Sequence, residues 1–87
     1  MKIKRGVDQY RMPEHSTVTR VMCKDSAGSY RLVLIGQHDM RIRRKVQDRP
    51  LGRPMYAAVY DNEVYLDPIP DSPAVMEVYY FPVETKA

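Results

Sequence analysis

The sequence of 87 residues contains a single cysteine, no tryptophan, one phenylalanine and only four glycines. A lone cysteine, Cys23, excludes an intramolecular disulfide framework and a cysteine-rich zinc site. The longest unbroken run of aliphatic residues is Leu32 to Ile35, which excludes a transmembrane segment and the apolar stretch of a signal peptide. We therefore expect one small domain that is made in the cytosol and contacts no membrane.

Signatures of catalysis and of cofactor binding are also missing. No glycine-rich phosphate loop and no serine or cysteine nucleophile motif occurs. Cys23 lies inside a predicted strand, where a buried and unreactive thiol is the expected state. His15 and His38 are 23 positions apart and belong to no metal-binding spacing. We therefore expect no enzyme activity, no metal site and no cofactor.

The charges that are present are distributed unevenly along the chain. The net charge is +3, but residues 1–53 hold 13 of the 14 lysines and arginines and only five acids. Residues 54–87 hold six acids and only one cation, Lys86. Such asymmetry indicates nucleic-acid contact by one half of the chain, head-to-tail contact between copies, or simply two solvated faces.

Strand signals dominate the chain, and helix signals are few. The β-branched run Thr17–Cys23 and the alternating run Ser29–Ile35 flank a turn-forming cluster, which predicts a hairpin. A last strand is predicted from Val75 to Phe81, with Met76, Val78 and Tyr80 toward the core. The three prolines between Pro68 and Pro73 predict a segment without ladder hydrogen bonds, because proline has no amide donor.

The clearest local structure is a hairpin between Met55 and Asp67. Asp61 and Asn62 both tolerate positive φ and suit a two-residue turn. This turn pairs Tyr60 with Glu63, and it sorts the two strands into an apolar face and an amphipathic face. The apolar face contains Met55, Ala57, Val59, Val64 and Leu66, and the amphipathic face contains Tyr56, Ala58, Tyr60, Glu63, Tyr65 and Asp67.

The segment that precedes this hairpin has the weakest pattern. Asp39–Val46 is compatible with a short helical turn or with an irregular edge strand, and Pro50, Gly52 and Pro54 predict a loop. We expect a single all-β domain, a small antiparallel sandwich or partly open barrel of about five strands with little or no helix. Residues 1–9 would form a basic N-terminal arm, and residues 83–87 a C-terminal tail.

Two groups of residues are candidates for binding. The first is a basic group that would contact phosphates or a neighbouring protein, and these alternatives require the same residues: Arg41, Arg43, Arg44, Lys45, Arg49 and Arg53. The second is a set of outward tyrosines that would suit an interface or would be ordinary half-buried aromatics of a sheet: Tyr56, Tyr60, Tyr65 and Tyr79.

Residues 52–82 carry a recognisable pattern. It begins with a Gly-x-Pro-x-Tyr-Ala segment at Gly52, which is followed by Asn62. A turn sequence then runs from Leu66 through Pro68 and Pro70 to Asp71, and Tyr79-Tyr80 lies near the end of a strand. This pattern resembles the β-domain of head-to-tail adaptor (connector, tail-tubular) proteins of tailed bacteriophages. Upstream, Tyr10–Glu14 and Val18–Val21 are similar to the segment by which the chain enters that domain.

The resemblance implies a viral structural protein of the virion neck. Such a subunit assembles with copies of itself, as a ring or array, and with portal, capsid or tail proteins. A capsid decoration (cement) protein is an alternative, since the helices that flank the adaptor β-domain have no counterpart in this sequence. An alternative of another class is a small basic nucleic-acid-binding protein. The resemblance implies localisation in the virion after synthesis in the host cytoplasm, non-specific contact with packaged DNA, and no catalytic residues.

Overall fold

The fold consists of short strands and one helix, seen in a computed structural model that describes residues 1–12 and 16–82. The strands are β1 (Lys2–Ile3), β2 (Gln9–Arg11), β3 (Ser16–Asp25), β4 (Gly28–Arg31), β5 (Val33–Leu34), β6 (Leu51–Gly52), β7 (Tyr56–Tyr60), β8 (Glu63–Asp67), β9 (Ile69–Pro70) and β10 (Ala74–Pro82), and the helix is α1 (Gln37–Arg44). The expectation of a small all-β fold with little helix is confirmed. No helix in the described ranges is long and apolar enough to cross a membrane.

Two four-stranded sheets pack face to face. Sheet A has the order β1-β10-β3-β4 and is antiparallel, and sheet B has the order β2-β8-β7-β5 with a parallel pair at β5. Inward side chains of both sheets form one core, as expected for a sandwich. This core contains Ile3, Met12, Val21, Cys23, Leu32, Ala57, Val64, Leu66 and Met76.

The predicted central hairpin is confirmed in detail. Asp61 and Asn62 have φ angles of 54° and 60° and join β7 to β8 in the predicted register, with Tyr60 opposite Glu63. The apolar face of this hairpin lies on the sandwich core, where Val64 is fully buried. Met55 is the exception, because it precedes β7 and is 49% exposed.

The predicted strand Ser29–Ile35 is wrong as a single element. Its first part, β4, pairs with β3 in sheet A, whereas β5 crosses to sheet B and pairs with β7. Leu32 is the buried corner between them, and its amide donates to the carbonyl of Val21 at 2.9 Å. Because the chain changes sheets here, the simple alternation breaks and Leu34 becomes exposed, although the sequence placed it with Tyr30 and Leu32.

The proline-rich segment is also corrected. β9 forms a short parallel pair with β6, although the sequence predicted a loop and no ladder at both places. The hydrogen bond between the two strands comes from the amide of Asp71, which donates to the carbonyl of Gly52 at 3.1 Å, and the carbonyl of Pro70 accepts from the amide of Gly6 at 2.8 Å. A Cβ at position 52 would lie 3.2 Å from Pro68 Cγ, so glycine permits this close approach.

Both ends of the described chain belong to sheet A. Residues 1–9, expected as an arm, are part of the fold instead, because β1 pairs with β10 and buries Ile3. In β10, Met76 is buried, whereas Glu77 and Tyr79 point outward as predicted. The predicted core position of Tyr80 and the predicted tail 83–87 lie outside the side chains and residues that the structure describes.

Candidate functional site

Helix α1 covers the outer side of sheet B. The segment contains helix-compatible residues, and arginines in its last turn interact favourably with the C-terminal end of the helix dipole. Met40 is fully buried and forms a second small core with Ala58 and Tyr65, against which Ile35 and Tyr60 pack. Of the two alternatives left open for this segment, the helix is therefore the correct one, and it adds a third layer to the sandwich.

The arginines of α1 lie on the tyrosines of sheet B. We call this arrangement the helix layer; its guanidinium-to-ring distances are 5.5 Å for Arg41 over Tyr60, 4.1 Å for Arg43 over Tyr56 and 4.5 Å for Arg44 over Tyr65. Tyr60 and Tyr65 also stack on each other, with their ring centroids 4.4 Å apart. Three members of the basic group and three of the tyrosine group, which are separate in the sequence, thus pack against each other.

The carboxylates of Asp8 and Asp67 form ion pairs with three arginines of this region. Arg49 donates to Asp8 at 2.6 Å and to Asp67 at 3.0 Å, and its side chain is only 11% exposed. Arg44 lies 3.4 Å from Asp8 and Arg43 lies 3.3 Å from Asp67. Burial acts to lower the pKa of Arg49, but the hydrogen bonds to the two carboxylates outweigh it and the pKa is raised. Arg49 is therefore a structural cross-link and not a free cation.

Arg53 also forms an ion pair and a ring contact within the protein, with residues of β3 and β4. Its Nε donates to Asp25 at 2.8 Å, and its guanidinium lies 3.7 Å from the ring centroid of Tyr30. The hydrogen bond from Arg53 holds the pKa of Asp25 below its usual range. The hydroxyl of Tyr30 in turn donates to the carbonyl of Pro54 at 2.7 Å, which ties sheet A to the start of β7.

The predicted basic group therefore divides in two. Four of its six members form ion pairs inside the protein, and only Arg41 and Lys45 have no acidic partner in the part of the chain that the structure describes. Contact of Arg41 and Lys45 with phosphates or with a protein stays a prediction. Arg49 is unsuited to either, because its guanidinium is already bound on both sides.

The predicted aromatic face does not exist as one surface. Tyr65 is 6% exposed beneath α1, and its hydroxyl donates to Glu63 at 2.9 Å. Tyr56 and Tyr60 are half-buried in the same layer, so these three behave as the sheet aromatics of the alternative interpretation. Tyr79 lies in sheet A and is 40% exposed. It is the only one of the four that stays well accessible to a partner.

The residues considered for chemistry have ordinary environments. Cys23 is buried, and burial raises the pKa of its thiol, which disfavours the reactive thiolate. His38 is exposed on α1, and His15 lies outside the described residues. Within residues 1–12 and 16–82, no group of three or more histidine, cysteine, aspartate or glutamate side chains is placed to hold a metal ion.

Sequence reasoning missed two exposed surfaces. We call the first the basic sheet face; it is the outer side of sheet A and presents Lys2, Arg20, Met22, Lys24, Ser29, Arg31, Val75, Glu77 and Tyr79. Alternation along β3 could have revealed Arg20, Met22 and Lys24 as one outward set, but the pairing of β3 with β10 and β4 is not visible locally.

We call the second surface the apolar edge, and it lies at the end of sheet B. Val33, Leu34 and Met55 are 55%, 39% and 49% exposed, and the amide of Val33 donates to the carbonyl of Met55 at 2.9 Å. An exposed apolar edge is a typical site of contact with another chain. Comparison with family models, with curated proteins and with solved structures finds no match, so the two surfaces themselves are the starting point for a functional proposal.

Proposed function

We propose that this protein is a structural subunit of a tailed-phage virion, similar to the β-domain of head-to-tail adaptors, and that it assembles through its apolar edge. The apolar edge is the observation that carries this proposal. Support also comes from residues 52–82, which hold the adaptor-like pattern. The β7–β8 hairpin within this segment contributes five buried residues to the two cores: Ala57, Ala58, Val64, Tyr65 and Leu66.

Backbone hydrogen bonds join the residues that precede the β7–β8 hairpin to the residues at its end and just after it. The amide of Met55 donates to the carbonyl of Asp67 at 3.0 Å, and the amide of Asp71 donates to Gly52 at 3.1 Å. The β6–β9 pair lies between these bonds. Two residues of the adaptor-like pattern also lie in close contact here, since Gly52, which has no Cβ, allows the near approach of Pro68.

The apolar edge has the features of an assembly surface. Sheet B ends at β5, and Val33 and Ile35 direct their amides toward β7. Because successive residues of a strand direct their backbone groups to opposite sides, the amide and carbonyl of Leu34 point away from the sheet. An incoming strand would find both free backbone groups and apolar side chains there.

The proposed occupant of this edge is a second copy of the chain. The other end of sheet B is β2, which also exposes one side, so β2 of one copy is able to extend the sheet at β5 of the next. Such a contact joins two different surfaces, and repetition of a contact of that kind produces a ring or an open array. Both arrangements agree with the subunit role that we propose.

The test is the mass of the purified protein in solution over a range of concentrations. The native chain should form complexes of several copies as its concentration rises, because edge pairing between short strands is weak. Leu34→Lys should abolish these complexes, since a lysine at an edge strand opposes pairing with another edge. Val46→Lys is the matched control, because Val46 is 57% exposed but lies beyond α1 and away from β5.

Two results would contradict the proposal. A native protein that stays monomeric at millimolar concentration would exclude self-assembly through this edge. Equal loss of assembly in Leu34→Lys and Val46→Lys would mean that added charge, and not the edge, decides association. Circular dichroism of both variants establishes that the fold is retained, which we expect because both positions are exposed.

A further inference from the structure

The outer side of sheet A carries a concentration of positive charge. Four cations point outward from this basic sheet face, at Lys2, Arg20, Lys24 and Arg31, against one acid, Glu77. Within the part of the chain that the structure describes, none of these cations has an ion-pair partner. This distinguishes the basic sheet face from the helix layer, whose arginines are mostly paired.

The one acid of the face is already engaged. Glu77 accepts a hydrogen bond from the hydroxyl of Tyr79 at 3.0 Å. The ring of Tyr79 in turn supports the guanidinium of Arg20, which lies 4.1 Å from the ring centroid. Arg20 is therefore held at the surface while it remains exposed, and Glu77 is directed along the strand toward Tyr79.

The strand pairing sets the spacing of the cations. Lys2 and Lys24 both lie level with Val75, on the two sides of β10, so their Cα atoms are about 10 Å apart. Arg20 lies four residues from Lys24 along β3, a distance of about 13 Å. The cations therefore span about 13 Å, a length of duplex DNA that carries about eight phosphate charges at one per ~1.7 Å of its axis.

A hollow adjoins this face at the end of sheet A. It has a volume of about 610 Å³ and an apolar floor that includes Ile3, Pro73 and Val75. Lys2, Lys4 and Lys24 stand around it, together with Asp25, which is paired with Arg53. The hollow therefore adds Lys4 to the cations near this face.

Among residues 1–12 and 16–82, the acids do not offer a matching surface for a second copy. Apart from Glu77 on the basic sheet face itself, those that are exposed are dispersed: Asp39 is on α1, Asp48 follows α1, Asp61 is in the β7–β8 turn, and Asp71 follows β9. Charge complementarity therefore favours an external polyanion. We propose that the basic sheet face binds the phosphate backbone of nucleic acid without regard to base sequence.

The chemistry of the face indicates how strong this binding is. Its four cations are spread over the surface of a sheet, so we expect phosphate contacts to account for the affinity. Four contacts give a log-log dependence of affinity on salt with a slope of about −3.6. We expect a dissociation constant no tighter than about 10⁻⁴ M at physiological salt. With this slope, a fivefold reduction in salt concentration increases the affinity by roughly 300-fold.

The test is a fluorescence-anisotropy titration of a labelled duplex of about 20 base pairs over a series of salt concentrations. The native protein is compared with Lys24→Gln/Arg31→Gln, which removes two cations of the basic sheet face. The matched control is Arg41→Gln/Lys45→Gln, which removes the same charge from the helix side. At the lowest salt the first variant should lose at least about tenfold in affinity, and its slope should fall to about −1.8, whereas the control should change little.

Three outcomes would overturn the proposal. No measurable binding by the native protein at low salt would exclude a phosphate-binding face. Equal losses in both double variants would mean that net charge, and not this face, attracts the DNA. A loss confined to Arg41→Gln/Lys45→Gln would place the contact on the helix side. None of these outcomes bears on the apolar edge, which lies in sheet B and is tested by solution mass.

Discussion

The helix layer and the basic sheet face are both rich in cations, but they differ in what lies next to each charge. In the helix layer, Arg49 lies between Asp8 and Asp67, and the arginines of α1 stack on tyrosine rings. On the basic sheet face, the described part of the chain provides no acid to Lys24 or Arg31. The same residue types therefore stabilise the fold in one region and are available to a partner in the other.

This difference changes how the charge asymmetry of the sequence is interpreted. Part of the basic group already forms ion pairs with the acidic half of the sequence within one molecule, because Asp67 belongs to that half and binds Arg43 and Arg49. The remaining partners, Asp8 and Asp25, come from the basic half itself. Asymmetry along the chain is thus a poor guide to asymmetry on the surface.

The largest difference between the two regions should appear on replacement of Arg49. Arg49→Leu leaves Asp8 and Asp67 without their shared cation, and we expect it to lower the free energy of unfolding by about 3 kcal/mol, at the low end for a mostly buried pair. Arg31→Leu on the basic sheet face should change it by less than about 0.5 kcal/mol. Chemical denaturation measures both.

Arg49→Lys sharpens this comparison, because it keeps the charge but loses the planar fork that binds two carboxylates at once. We expect its stability to lie between those of the native protein and Arg49→Leu. Similar stability of all the variants would mean that the ion pairs of Arg49 with Asp8 and Asp67 contribute nothing net.

A smaller effect is expected from charge reversal on α1. Arg43→Glu/Arg44→Glu places new carboxylates beside Asp67 and Asp8 and removes two ring contacts, so we expect a loss of about 2 kcal/mol. Lys24→Glu/Arg31→Glu produces the same change in net charge, but its effect on the free energy of unfolding should be within about 0.5 kcal/mol. Thermal unfolding of the two variants side by side decides between local pairing and overall charge.

The smallest effect concerns pH and the pair formed by Arg53 and Asp25. Arg53 lowers the pKa of Asp25 in the folded state, so this contribution to stability is complete above the unfolded pKa of about 3.9 and is lost as the pH falls through the folded value. Arg53→Gln should therefore be less stable than the native protein at neutral pH and should approach it in acid. A gap that persists unchanged to about pH 2 would show that stacking on Tyr30, not the ion pair, is what Arg53 contributes. Lys45→Gln is the control.

The part of the fold that was predictable from the sequence is local. The β7–β8 hairpin was predicted with its turn, register and faces, because Asp61 and Asn62 determine the turn and alternation then assigns every side chain to a side. The exposed positions Glu77 and Tyr79 followed from the same period of two. The phage role, the ring and the DNA contact are not determined at this level and stay predictions.

What was missed depends on contacts between distant parts of the chain. Helix α1 buries only Met40, so its apolar pattern is too sparse to predict from one short segment. The break at Leu32 depends on which sheet each half of the run joins. The hydrogen bond of the short β6–β9 pair comes from the amide of Asp71, which belongs to neither strand.

For this protein, the sequence by itself determined the all-β class, the central hairpin and the absence of recognisable catalytic motifs, because strand period and turn chemistry act between near neighbours. Only the tertiary structure decided which cations are available to a partner. An arginine that lies beside an aspartate forms an ion pair with it, whereas an arginine on an exposed sheet surface has no such partner. The distance between two charges in the folded protein does not follow from the number of residues between them in the sequence. The helix layer and the basic sheet face differ because α1 packs on sheet B, whereas no element among residues 1–12 and 16–82 packs on the outer side of sheet A.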